Sequence, residues 1–235
     1  MNKLLSVIVP IADYLLARGV YPTRHRQLTE AIKSAGYYDR ELRRMIKNYY
    51  NGYLSDLDFI GVFSSLVEGQ MYRAYLEGLM STDFDINNMT GAMYAEIDEI
   101  RRSEENYILD FIQQIKDAKE AGTGFEQFNS RADVWVNRYF DVQNRGTIAG
   151  AKNRQINLLW KLGATEQHCT TCASMHNKVM SADDWSVSGI APQQPPNANL
   201  ECGGWRCDCS LSPTSKKVNA TLQDIRDVIW IDAAA

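Results

Sequence analysis

HCTTCASMHNKVMSADDWSVSGIAPQQPPNANLECGGWRCDCSL, residues 168–211, holds all five cysteines of this 235-residue chain and two of its three histidines. No cysteine precedes Cys169. Cys169 and Cys172 form a CxxC pair, and two intervening residues let both sulfurs point at one ion from a tight turn. Cys202, Cys207 and Cys209 form a second group, in which Gly203 and Gly204 let the backbone curl without steric penalty. Two cysteine groups separated by a loop predict a zinc site, where a lone CxxC would not. Five thiols exceed the four places of a tetrahedral ion. Cys169 and Cys172 are the firmest ligands, Cys202 is favoured for a third place, and Cys207 and Cys209 offer a choice for the fourth. His168 adjoins Cys169, which makes joint ligation awkward, so it is expected beside the site and not in it.

Between the two groups the sequence predicts a turn into a short strand near Val179, with Asn177 in a left-handed conformation. Ser181 to Asp184 has the spacing of a capping box, with Asp in place of Glu, and predicts a short helix through Trp185 that stops at Gly189. Pro192, Pro195 and Pro196 stiffen an extended loop leading to Cys202. Trp185, Trp205 and Leu211 are expected to shield the ion. So small a module buries little surface, so the ion is expected to supply much of its folding energy.

Catalysis finds little support in the same stretch. A thioredoxin-type redox pair needs a βαβ setting, and none surrounds the CxxC. A catalytic zinc keeps an open position beside an acid or base. His168, His176, Asp183 and Asp184 are the candidates weighed near the cysteines, and no histidine follows Cys209. The reading is a structural Zn2+ in a chain that is not an enzyme.

Outward from this module the chain reads as helical. With 45% hydrophobic residues there is ample material for a core, and a net charge of -4 argues against a chain that grips nucleic acid by bulk charge. The N-terminal apolar run Leu4–Val9 is interrupted by Pro10, Asp13 and Arg18 and lacks a cleavage pattern, so it predicts a helix and not a signal peptide. No run approaches the ~18 apolar residues of a membrane span. Paired thiols in a cytosolic chain read as metal ligands, and an odd number leaves one over in any all-disulfide scheme. Short helices are expected before residue 50, broken at Gly19, Pro22 and Gly36, with His25 in an exposed turn between two arginines. Gly52, Gly61, Gly69 and Gly78 mark either helix breaks or close helix approach. Met93, Ile97, Ile100, Ile108, Phe111 and Ile115 form one stripe of a long helix from about Met89 to Ala121, interrupted at Glu104. Gly122 and Gly124 end it. A last helix is expected over Ser130–Leu162, with Trp135, Tyr139, Val142, Ile156 and Trp160 on one face and a small-residue notch at Gly146, Ala149 and Gly150. Arg138, Arg145, Lys152, Arg154 and Lys161 make it basic, most simply as a solvated face.

The order HC-x-x-C, a turn and Val, SADDW, G-x-x-P, then L-x-CGGW-x-C-x-C-x-L resembles the C-terminal region of tailed-bacteriophage minor head proteins, the head-morphogenesis proteins of the Mu F-like group. The likeness covers about residues 163–213, with the INLLWKLGATEQHC lead-in, and extends to the earlier residues only in their helical character. It implies a minor capsid component that works with the portal and other phage head proteins, in the virion and in the host cytoplasm during assembly. It carries the family's cysteine pairs onto Cys169, Cys172, Cys207 and Cys209. Many members have a His-Pro before the last pair, and Cys202 stands in that region here. Asn177 takes the place of the usual turn glycine, which makes His176 look incidental.

The fold expected is therefore mainly α. An elongated helical bundle over residues 1–165, divisible near 81–90, carries a small C-terminal zinc-binding α+β module at 166–213 and a tail at 214–235. The rival reading is a zinc-scaffolded nucleic-acid-binding or nuclease protein that meets DNA through the basic helix 138–161. A third is a prophage-encoded effector.

Overall fold

A computed structural model describes residues 35–164, 167–205 and 208–232. The expected N-terminal helix at Pro10, the breaks at Gly19 and Pro22, the turn at His25, and Cys207 lie outside these residues. The described chain is mainly helical, with one three-stranded antiparallel sheet. Four helices come first: α1 (Ala35–Tyr50), α2 (Asp56–Ser81), α3 (Gly91–Glu120) and α4 (Asn129–Arg154). The order then runs β1 (Asn157–Lys161), α5 (Thr170–Met175), β2 (Val179–Ser181), α6 (Ala182–Val187), β3 (Ser210–Thr214) and α7 (Leu222–Asp232). Among the described residues no helix is long and apolar enough to cross a membrane.

The chain divides into two compact units, Met1–Gln70 with Glu99–Val136, and Met71–Asp98 with Asn137–Ala235. The first has an aromatic core. Phe63 and Phe111 both meet Trp135, at ring-centre distances of 5.1 and 5.0 Å, and Phe111 also meets Phe128 edge-on. Tyr38, Leu42, Ile46 and Tyr49 recur every three or four residues on α1 and bury one face of it. Gly36 breaks nothing, because it lies within α1. Ser55 starts α2 as a reciprocal cap, accepting from Asp58 N–H and donating to the Asp58 carboxylate. Glu104, the interruption in the α3 stripe, is itself buried at 3% exposure. Burial and the Glu104 charge together push the Tyr38 hydroxyl well above its ordinary pKa.

In the second unit α2 and α4 cross at glycines. A Cβ on Gly78 would overlap the backbone of Gln143 and Thr147, and one on Gly146 would overlap the Tyr75 carbonyl. Close helix approach is thus the role of Gly78, whereas Gly61 and Gly69 lie within the uninterrupted helix α2. Around the crossing Tyr139 Oη donates to Glu77 at 2.6 Å, and the Ser81 and Thr147 hydroxyls are 3.2 Å apart.

The helix expected to reach Leu162 ends instead at Arg154. Gln155 takes a positive φ of 55° and turns the chain into β1. Leu158 and Trp160 share one face of β1 by their period of two and are fully buried, with Ile156 just before the strand packed partly buried against the same core. Residues 156 and 160 alone, four apart, fit a helix equally well, and that spacing is what misled the sequence reading. Lys161 is consequently on β1 and not on the basic helix.

β1 is the central strand, paired antiparallel with β2 (Leu158 opposite Met180) and with β3 (Trp160 opposite Leu211). On it rests a core of Leu158, Trp160, Met175, Met180, Trp185, Leu200, Leu211 and Ile225, which also takes in Cys172 and Cys209. Trp185 Nε1 donates to Leu158 O at 2.9 Å, which satisfies the indole inside the core. Residues beyond 214 belong to this core too, through Ala220 and Ile225.

Buried Asn144 ties α4 to the module. Its Nδ2 donates to Pro192 O at 3.0 Å and its Oδ1 accepts from Leu211 N at 3.1 Å. Asn144→Ala strands a buried carbonyl and a buried N–H, each worth about 1–3 kcal/mol when unpaired. Urea unfolding followed by tryptophan fluorescence should show a loss of about 2–4 kcal/mol.

Candidate metal centre

The first cysteine pair is set by a helix start. Cys169 is the N-cap of α5, with extended φ/ψ of -65° and 155°, and its Sγ accepts from Cys172 N at 3.4 Å. A thiol thus does what a serine hydroxyl does at an ordinary cap, and the cap swings Cys172 back toward Cys169 within one turn. Cys172 is buried and Cys169 half-buried. Burial pushes the Cys169 thiol above its ordinary pKa, while the N–H of Cys172 pulls it down. A thiolate here therefore wants a cation beside it.

Cys202 arrives by a different device. Gly203 N donates to Leu200 O at 2.7 Å and Trp205 N donates to Cys202 O at 3.0 Å, so two turns overlap on the cysteine. Gly203 and Gly204 both have positive φ, 62° and 79°. A Cβ on Gly204 would overlap the Gln194 carbonyl, so that position needs glycine for space as well as for conformation. The proline loop is held by Asn197, whose Nδ2 donates to Gly189 O at 3.1 Å.

The result is a cluster in which the sulfurs of Cys169, Cys172 and Cys202 all lie within 4.8 Å of one another. Sulfurs around a tetrahedral ion with ~2.3 Å bonds are ~3.8 Å apart, so closure onto an ion requires movement on the order of 1 Å at most. The cluster includes no histidine or carboxylate. These three thiols could hold a metal ion, and a fourth donor would complete a tetrahedron. Cys209 is buried in the adjoining core and is not one of the three. His168 is half-buried and also outside the cluster.

The segment between the groups follows the sequence expectation closely. Asn177 has a φ of 65°. Ser181 Oγ accepts from Asp184 N and donates to the Asp184 carboxylate, starting α6, and Gly189 follows its end with a φ of 76°. His176, which looked incidental, has a use: its Nδ1 accepts from Leu162 N at 3.3 Å, just past β1. Of the expected shielding residues, Trp185 and Leu211 are buried in the core around Cys172, while Trp205 stays partly exposed beside Gly203.

No family model, curated protein or solved structure matches the chain. What the residues themselves offer is a thiol-rich, partly dry cluster held by capped turns and a sheet.

Two residues of that frame escaped the sequence reading. Glu201 Oε2 accepts from Thr170 N at 2.5 Å, and Glu201 N donates to Thr171 Oγ1 at 3.2 Å. The only hint in the sequence is that both residues border cysteines.

Proposed function

We propose that this chain is a zinc-stabilised minor capsid or head-morphogenesis protein of a tailed phage, acting with the portal and other head proteins. It would reside in the virion and, during assembly, in the host cytoplasm. The observation that carries the reading is the three-thiol cluster of Cys169, Cys172 and Cys202, formed within the stretch that resembles the minor head proteins. The ion, when bound, would supply cross-linking of the two cysteine turns; the chain's own residues supply the capped helix, the double turn and the sheet that aim the sulfurs. A soft donor set of thiols favours Zn2+ over the oxygen-seeking Mg2+ and Ca2+. No acid or base belongs to the cluster, which supports an architectural role over a catalytic one.

The nucleic-acid reading is weakened by where the basic residues go. Arg138 and Arg145 pair with buried Asp141, Lys152 with Asp183 at 3.3 Å, and Arg154 with Asp83 at 3.5 Å. Burial raises the Asp141 pKa, and the two arginines oppose that rise. Arg138 and Arg145, held at a buried carboxylate, are poor grips for phosphate.

Co-expression with the portal protein of the same phage is the test. The proposal expects co-purification of the two and retention of the chain in proheads. Absence from proheads, together with salt-dependent binding to duplex DNA, would replace it with the nucleic-acid reading.

A further inference from the structure

We infer that Glu201 and Thr171 are positioning residues for the metal centre, forming a two-bond clamp that brings the two cysteine turns together before any ion arrives. This rests on the metal reading above and adds to it a part outside the cysteines.

Thr170 is the first residue of α5, so its N–H has no carbonyl partner within the helix. The Glu201 carboxylate accepts a 2.5 Å charge-assisted hydrogen bond from that N–H. In return Glu201 N–H donates to the hydroxyl of Thr171, a side chain only 1% exposed. The bonds join residues 170 and 171 to residue 201 and run in opposite directions, so sliding one turn past the other breaks both. Each partner borders a ligand: Thr170 and Thr171 lie between Cys169 and Cys172, and Glu201 precedes Cys202. The clamp therefore fixes the register in which Cys202 Sγ falls within 4.8 Å of the other two sulfurs. Glu201 is exposed and belongs to no apolar core, so its loss leaves the packing around Trp160 and Trp185 intact.

Two measurements on the full chain test this. The first is competition for Zn2+ against a chromophoric chelator. Glu201→Ala and Thr171→Val should each weaken binding by about tenfold to a hundredfold, as loss of outer-sphere support does at zinc sites. Glu201→Gln should fall between, and Thr171→Ser, which keeps the hydroxyl, should bind as the parent does. The double variant Glu201→Ala/Thr171→Val should be worse than either single one, because each single change removes one bond of the clamp and leaves the other. The second uses metal-free protein and diamide, which accepts the two electrons and two protons released when two thiols become a disulfide. Peptide mapping should find Cys202 joined to Cys169 or Cys172, formed more slowly in Glu201→Ala and Thr171→Val than in the parent. Parent-like zinc affinity and parent-like cross-linking in those variants would overturn the clamp and leave the metal reading standing. A parent that binds no zinc yet cross-links in a Glu201-dependent way would overturn the metal reading and leave the clamp standing.

Discussion

Cys172→Ser is expected to remove bound zinc from the chain and to dissolve the tertiary order around β1 while leaving most helix in place. Cys172 is the most buried of the three clustered thiols, inside the core that holds Trp160 and Trp185. A serine hydroxyl does not ionise at neutral pH, so it offers the ion neither the charge nor the soft donor that a thiolate does. Structural zinc sites carry apparent binding free energies of about 10–16 kcal/mol, which is comparable with the whole stability of a domain, about 5–15 kcal/mol. The effect should therefore be a lost transition and not a shifted one. Elemental analysis should show about one zinc per parent chain and essentially none in the variant, as a single thiol-bound ion requires. Near-UV circular dichroism should lose the contribution of the Trp160–Trp185 pair, whose rings sit 5.6 Å apart. A strong chelator added to the parent should reproduce both changes. Far-UV helicity should persist, because the unit containing Phe63, Phe111 and Trp135 has its own core and no cysteine. His168→Ala serves as the control and should keep its zinc, since His168 is outside the cluster. Zinc retained in full by Cys172→Ser, or absent from the parent, would sink the assignment.

The parts of this protein that sequence could announce are those in which a local rule decides the outcome. The α3 stripe is readable because apolar residues at helical spacing have one way to be buried. The Ser181 cap, the left-handed Asn177 and the stop at Gly189 are readable because each depends on a few adjacent residues. β1 is different. Its five residues follow closely on a helix, and Ile156 with Trp160 satisfies both helical and strand spacing. Its identity as a strand is decided by β2 and β3, which supply hydrogen bonds from residues 179–181 and 210–214. Glu104 shows the same limit in a helix: charge in an apolar stripe reads as exposure, yet the neighbouring helix brings Tyr38 to it. In the three-cysteine cluster the cysteines are conspicuous by type and spacing, whereas Glu201 and Thr171 are ordinary residues whose pairing exists only after the loop closes.

Gly146→Val is expected to destabilise the second unit by about 3–5 kcal/mol, more than ordinary overpacking, which costs about 1–3 kcal/mol. Overpacking is usually eased by a side chain changing rotamer. Here the atoms that a Cβ would meet belong to the Tyr75 backbone, and backbone in the middle of α2 has nowhere to go without separating two helices. Separation would stretch the Tyr139–Glu77 and Ser81–Thr147 contacts that flank the crossing, and it would spread to Gly78, whose own missing Cβ faces Gln143. Gly146→Ala isolates the first methyl group. It gains about 1 kcal/mol in helix propensity but loses more to the overlap, so a net loss of about 1–2 kcal/mol is expected. Gly150→Ala is the informative contrast. Its nearest neighbour is Thr82 Oγ1, a side-chain atom that can turn away only by giving up its buried 2.7 Å hydrogen bond to Leu79 O, a loss of about 1 kcal/mol, and the remaining contacts with Leu79 are tight but not overlapping. Propensity and crowding should then nearly cancel, leaving a change within about 1 kcal/mol. Urea unfolding monitored by tryptophan fluorescence should rank Gly146→Val as the most damaging, then Gly146→Ala, then Gly150→Ala. Equal effects at the two positions would mean that the backbones are not in contact and that the glycines serve flexibility instead. If the ranking holds while zinc content stays at the parent level in all three, the helix crossing and the metal centre are independent supports of the same unit.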